Sequence, residues 1–327
     1  MNFCFIKKFV YFILVSFFLI LMSCTGSKKN ILLDSKDIQR KLYKQAGIAI
    51  FKNKTVYNKN NYLDTLYKTI ASTVQKISEN QIMTFRSDTT EPIIIKNIPR
   101  LISGYTIDNQ ALTKKGRELG LNAIITGELY SIELIEEKRG IIGFRKFKPF
   151  INIKSTLSVY DCETGAKLLF EYIDEKILLD DKYFLENNIK DDILTKIKEN
   201  DSNKSLIDIS LYEDLINSIF KKIGNKYGEL SGQAINIQPW KAFIVDKKEP
   251  FYIISAGERS NIKKGDIFEV YGKYKIINGI GGQSYIIPGP GIGKIKIHEL
   301  TYNSAKGVPL IGHNFDISCC IQKQKTE

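Results

Sequence analysis

The chain has 327 residues, of which 43% are hydrophobic and 26% charged, and 48 Lys and Arg against 36 Asp and Glu leave a net charge of +12. This length and apolar content allow about two domains with buried cores. Five cysteines and two histidines, His298 and His313, exclude a disulfide-rich scaffold and leave little material for a histidine-based metal site or catalytic triad.

The amino terminus carries Lys7-Lys8, then an apolar run from Phe9 to Met22 broken only by Ser16. A basic segment, a short apolar segment and a small residue before a cut site describe a secretory signal, and the run is short for a spanning helix. Leu21-Met22-Ser23-Cys24 resembles a bacterial lipobox. The resemblance implies that Cys24 is diacylated and becomes the mature amino terminus. Thr25, where an Asp commonly retains lipoproteins in the inner membrane, favours the outer membrane facing the periplasm. The small, polar segment from Thr25 to Asn30 suits a tether. Behind a secretion signal the basic balance points to lipid headgroups, acidic partners or a solvated face, and not to nucleic acid.

Ala46–Phe51 reads as a buried strand, and Leu63, Leu66, Ile70, Val74 and Ile77 recur at helical spacing over 61–79. Ile82–Phe85 suggests a second strand, and a helix over 109–119 stops at Gly120. A strand enters at Ala123, runs to about Glu136, and is followed by strict alternation over 151–159. Asp161-Cys162-Glu163-Thr164-Gly165 is turn chemistry, with Lys167–Ile173 as the returning strand. A charged segment over 180–204 reads as part helix and part loop. Ser210-Leu211-Tyr212-Glu213 is a capping box for a helix ending near Gly228. The order of elements is that of an α/β sandwich with a mixed sheet.

Beyond about residue 235 helical periodicity vanishes and glycine rises. Trp240–Val245, Phe251–Ile254, Asp266–Tyr271, Ser284–Ile287, Gly293–Glu299 and Asn314–Cys320 read as strands of a small closed barrel. Ile262 is expected to plug its core, Gly265-Asp266 to turn the chain, and Gly279–Gly282 to close a hairpin.

Leu119, Gly120, Ala123 and Gly127, followed by Val159, Tyr160, Asp161, Thr164 and Gly165, resemble two groups of envelope proteins. They are the curli-secretion lipoprotein family and the middle domain of the flagellar assembly protein T family. The second region, through Gly257–Tyr271 and Gly291-Ile292-Gly293, resembles the carboxy-terminal SH3-like barrel of the latter. The implied organisation is α+β: an α/β sandwich domain with a mixed sheet, then a small SH3-like β-barrel. Its expected parts are a signal peptide (1–23), a lipidated tether (24–42), an α/β envelope domain (43–231) and the barrel (232–327). The stretch between Cys24 and Ala46 is too short for the further amino-terminal domain typical of the family, so that domain is not expected.

Little else carries chemistry. Gly289–Lys294 has Pro288 and Ile295 where a phosphate loop needs Gly and Ser or Thr. His298 and His313 lack neighbours at ligand spacing, so neither a metal nor a cofactor is expected. Vicinal Cys319 and Cys320 rarely bridge each other. A link from one of them to Cys162 stays open beside the simpler reading of buried free thiols. No nucleophile elbow or acid/base pair appears, and an enzyme is not expected.

One stretch, Glu136–Phe150, reads as a basic loop between strands. Arg139, Arg145, Lys146 and Lys148 supply its charge, with Ile142, Phe144 and Phe147 between them. These seven residues are the candidate contact for a partner or for anionic headgroups. The expected function is that of an outer-membrane lipoprotein acting as a structural or assembly factor. What the resemblance implies is the outer ring of the flagellar basal body, with periplasmic proteins and outer-membrane lipid as partners and a ring-forming homo-oligomer as the arrangement. The alternatives are a curli-type secretion channel subunit and a general periplasmic adaptor.

Overall fold

A computed structural model describes residues 40–55, 60–86, 89–101, 106–141, 146–178 and 213–323. The chain divides into two units, Met1–Arg40 and Lys41–Glu327. Every element below belongs to the second. The signal segment, Cys24, the charged segment over 180–204 and the first three residues of the capping box lie outside the described residues.

The first sheet is mixed. Strand β1 (Lys44–Ala49) runs parallel to β3 (Ile82–Met83), β4 (Ile94–Ile95) and β5 (Ala123–Arg139). Strand β2 (Lys52–Asn53) continues alongside β5, and the antiparallel strands β6 (Lys146–Asp161) and β7 (Lys167–Leu178) complete the order β3-β1-β5-β6-β7. Strand β1 is buried along its whole length, which is why it reads as an apolar run without alternation.

Helices α1 (Asn60–Ile77) and α3 (Glu213–Asn236) cover one face. They bury Leu66, Ile70, Phe220 and Tyr227 against Ile48, Ile125 and Leu157. The helix expected to end near Gly228 instead continues to Asn236. Its glycines are packing residues and not stops. A Cβ on Gly224 would lie 2.7 Å from Thr69 Cβ, and one on Gly228 would lie 2.5 Å from Thr73 Cβ. Spaced four apart, these glycines line one stripe and let α3 lie against the parallel α1 at close range. The helix-propensity cost of glycine, about 1 kcal/mol each, is offset by that contact.

Helix α2 (Asn109–Glu118) is capped by Asp108, whose carboxylate accepts the Ala111 N–H at 2.9 Å. Gly120 then takes φ +73°, and any Cβ there would strike Ser255 O. That position needs glycine for both backbone and space.

The second sheet is a closed antiparallel barrel in the order β10-β11-β12-β9-β8-β13. Its strands are β8 (Ala242–Lys248), β9 (Phe251–Ile254), β10 (Ile267–Asn278), β11 (Ser284–Leu300), β12 (Ala305–Ile311) and β13 (Cys320–Lys323). Three expectations need correction. Ser284–Ile287 and Gly293–Glu299 form one strand, β11, running through Pro288 and Pro290. Those prolines sit where β11 pairs with β10 alone and the ladder is bulged, so a missing N–H is tolerated. The stretch expected as strand Asn314–Cys320 is irregular until Cys320, and β12, unforeseen as a strand, supplies the missing ladder. Ile262 is buried in the barrel core with Ile244, Phe268, Ile295 and Ile321, as expected.

A third core joins the two sheets. Ile124 and Tyr160, on the sheet face away from α1 and α3, pack with Leu112 of α2 and with Phe243 and Cys320 of the barrel.

Candidate functional site

Strands β5 and β6 form a long antiparallel hairpin that pairs Arg139 with Lys146 at its far end. The expected loop is therefore shorter than anticipated. Arg139, Lys146, Phe147 and Lys148 belong to strands, because the alternation of β5 and β6 continues past Glu136 and back from before Ile151. Ile142, Phe144 and Arg145 lie outside the described residues. Ile141, just before them, is 82% exposed.

Arg139 is not a free cation at the tip. Its guanidinium lies 4.3 Å over the Phe150 ring, and Nη2 is 3.4 Å from Glu137 Oε2. Glu137 also accepts from Lys176 Nζ on β7. That bond holds the Glu137 carboxyl below the ordinary range. Lys148 is exposed and sits opposite Glu137 in register. The hairpin thus presents cations interleaved with a carboxylate, a surface suited to contacts that depend on charge pattern.

A second constellation lies where the sheets meet. At the end of β6, Asp161 Oδ2 accepts from the Thr164 N–H at 3.1 Å and the Thr164 hydroxyl at 2.7 Å, closing the turn that ends in Gly165 at φ +76°. This turn is a knuckle that grips the barrel. Ile286 N donates to Thr164 O at 2.8 Å. Asn109 Nδ2 donates to Gly165 O at 2.9 Å and to Ser284 O at 2.7 Å, and the Ser284 N–H returns to Asn109 Oδ1.

Lys241, just before β8, places Nζ 3.1 Å from Asp161 Oδ1 and 2.6 Å from Glu163 Oε2. All three side chains are at most 9% exposed. Burial pulls the Lys241 pKa down, but Asp161 and Glu163 push it up by more, so it lies above the ordinary lysine value. Asn122 Nδ2 holds Lys241 O at 2.8 Å while its Oδ1 accepts the Gln45 N–H. Lys44 closes the end of α3 by donating to Ile235 O at 3.1 Å and Asn236 O at 2.6 Å. Burial, then the nearby Lys241, lowers its pKa to about 8.

Sequence reading recognised Asp161–Gly165 as a turn but missed its partners. The available signal was Lys241, a charged residue opening an apolar strand segment, which requires a buried counter-charge.

Cys162, Cys319 and Cys320 are free and buried. Burial pushes the Cys162 thiol up, which makes it inert. His298 stacks on Phe251 at 5.5 Å, and His313 is exposed in the irregular segment after β12. Among the described residues no group of three or more His, Cys, Asp or Glu is placed to hold a metal. No helix among them is long and apolar enough to cross a membrane.

No protein-family model and no curated protein matches the chain. Among solved structures, the PelC dodecamer from Paraburkholderia phytofirmans is similar at 12% identity and a TM-score of 0.29, covering 61% of this chain and 93% of that one. Lipoprotein GNA1162 from Neisseria meningitidis is similar at 11% identity and a TM-score of 0.26, covering 48% and 99%. Protein CT253 from Chlamydia trachomatis is similar at 10% identity and a TM-score of 0.29, covering 57% and 98%. The neighbours thus include bacterial lipoproteins, at TM-scores too low to carry an argument about function.

Proposed function

We propose that this chain is an outer-membrane lipoprotein, anchored through Cys24 and facing the periplasm, that acts as an assembly factor and not as a catalyst. The observation that carries the reading is Leu21-Met22-Ser23-Cys24 behind a basic and then apolar amino terminus. Several acyl chains on one cysteine give a firm anchor, at about 0.8 kcal/mol per buried CH₂. A body in which two sheets are joined by buried charge suits a scaffold that presents surfaces at fixed spacing. The β5–β6 hairpin, with Lys148 and Ile141 exposed, is the surface assigned to the partner.

The finer reading rests on the resemblance carried by Leu119–Gly127, Val159–Gly165 and the barrel. It assigns the chain to the outer ring of the flagellar basal body, working as a ring of copies with periplasmic partners. Fractionation and crosslinked pull-down from motile cells test it. The expected result is recovery in the outer-membrane fraction together with basal-body components. Recovery of an unchanged set of partners from cells without basal bodies would replace the flagellar role by that of a general envelope adaptor.

A further inference from the structure

A cleft of about 400 Å³ opens between α2 and the barrel, and it belongs neither to the hairpin nor to the buried knuckle. Ala111, Ile244, Val245 and Ile317 give it apolar walls. Arg117 and Lys114 of α2 and Lys273 of β10 line it, as do the carboxylates of Asp108 and Glu118. We infer that this cleft binds an aliphatic carboxylate, with the anion held between Arg117 and Lys273.

Arg117 is 5% exposed. Its Nη1 donates to Cys162 O at 2.7 Å and to Thr113 Oγ1 at 3.4 Å, which fixes the plane of the guanidinium. Its Nε is buried and has no hydrogen-bond partner among the described residues. A buried N–H on a charged group without an acceptor is a costly arrangement, which an anion relieves if the Arg117 side chain shifts to bring Nε into the cleft. Nε–H is one prong of the side-on fork by which arginine holds a carboxylate.

The nearby carboxylates do not fill this role. Asp108 is committed to the Ala111 N–H, and Asp161 to Lys241 and Thr164. Glu118 lines the cleft and its charge favours the Arg117 guanidinium, but it is exposed and makes no ion pair with Arg117 among the described residues. Lys273, on β10, likewise has no ion pair among them. Burial and then Arg117 lower its pKa, as expected for a second cation facing the first. Lys114, Arg117 and Lys273 outnumber the carboxylates Asp108 and Glu118 on the lining, and this cationic excess beside apolar walls favours a ligand with one anionic head and a short apolar body. The volume falls within the usual range for small-ligand sites, about 300–1,000 Å³. Both a free carboxylic acid and the carboxy terminus of an apolar peptide have this chemistry.

Calorimetry on the full lipidated protein in detergent tests the inference. The probes are butanoate, its neutral isostere butanamide, and the tripeptide acetyl-Ala-Val-Ile as free acid and as amide. The acids are expected to bind about tenfold more tightly than the amides, a gap typical of one charge-assisted contact. Butanoate alone binding identifies a free acid as the ligand, and the peptide acid binding more tightly identifies a chain terminus. Lys273→Met lies on the surface side of the cleft and should leave the melting temperature unchanged while weakening the acids about tenfold. Arg117→Lys, which keeps charge but loses the fork, should weaken them further. Absent binding of both acids, equal affinity for acids and amides, or unchanged affinity in a folded Lys273→Met protein would overturn the assignment.

Discussion

Lys241 and Asp161 meet at 3.1 Å across the junction of the two sheets, one just before the first barrel strand and the other at the end of the longest hairpin. With Glu163 they leave two carboxylates and one ammonium nearly closed from solvent. Removing one partner of a buried pair costs roughly 3–5 kcal/mol, because the remaining charge stays desolvated. Lys241→Met should therefore lower the unfolding free energy, read from urea denaturation, by an amount in that range. Adding Asp161→Asn and Glu163→Gln should recover part of the loss, since amides need no counter-charge. A loss under about 1 kcal/mol for Lys241→Met would mean the pair is effectively solvated.

Gly228 tests the close packing of α1 and α3. In an exposed helix, Gly→Ala is stabilising by about 1 kcal/mol. Here the new Cβ meets Thr73 Cβ at 2.5 Å, so the helices must part. Gly228→Ala should be destabilising by about 1–3 kcal/mol, while Lys221→Ala on the exposed side stays within about 0.5 kcal/mol of wild type. Chemical denaturation of both variants checks the sign.

Lys44 gives a pH signature. Its pKa is about 8 in the folded chain against the ordinary 10.5. Between those values the unfolded chain holds more protons than the folded one, so this residue's contribution to stability rises with pH. Lys44→Gln keeps a donor near the end of α3 without the titration. Stability of wild type relative to Lys44→Gln should climb from about pH 8 to about pH 10.5 and be flat below. A relative stability independent of pH, or one falling through that window, would contradict the placement of Lys44. Lys241 acts oppositely: its raised pKa gives a contribution present below the unfolded value and lost only above it.

At the hairpin, Lys148→Ser should leave stability unchanged but weaken binding to the pulled-down partner at low salt. Exposed charges near an anionic surface contribute up to about 1 kcal/mol each and fade as screening shortens to about 8 Å. Arg139→Ser is different, because it also uncovers Phe150 and should cost about 0.5–1 kcal/mol of stability. Binding by Lys148→Ser that equals wild type at every salt concentration would remove the hairpin from the interface.

Much of this fold was legible from local signals. The alternation over 151–159, the apolar run at β1 and the spacing over 61–79 report burial that each element carries in its own residues. Three of the misreadings share one cause, which is contact with something remote. Gly228 resembles a helix stop until Thr73 is placed beside it. Pro288 and Pro290 seem to end a strand unless one edge of β11 is known to be unpaired. Asp161 looks like a turn residue alone, because Lys241 is brought to it only by tertiary packing. The far end of the hairpin resembles a loop because Arg139 and Lys148 are charged, yet exposed strand positions carry charge without breaking alternation.

The central claim is that Cys24 tethers this body to a membrane. Metabolic labelling of cells with a clickable palmitate analogue, in wild type and in Cys24→Ala, tests it most directly. The expected result is a labelled wild-type band in the outer-membrane fraction, with Cys24→Ala unlabelled and either released to the periplasm or retained as precursor. Equal labelling of the two proteins, or an unlabelled wild type processed to a soluble periplasmic form, would contradict it.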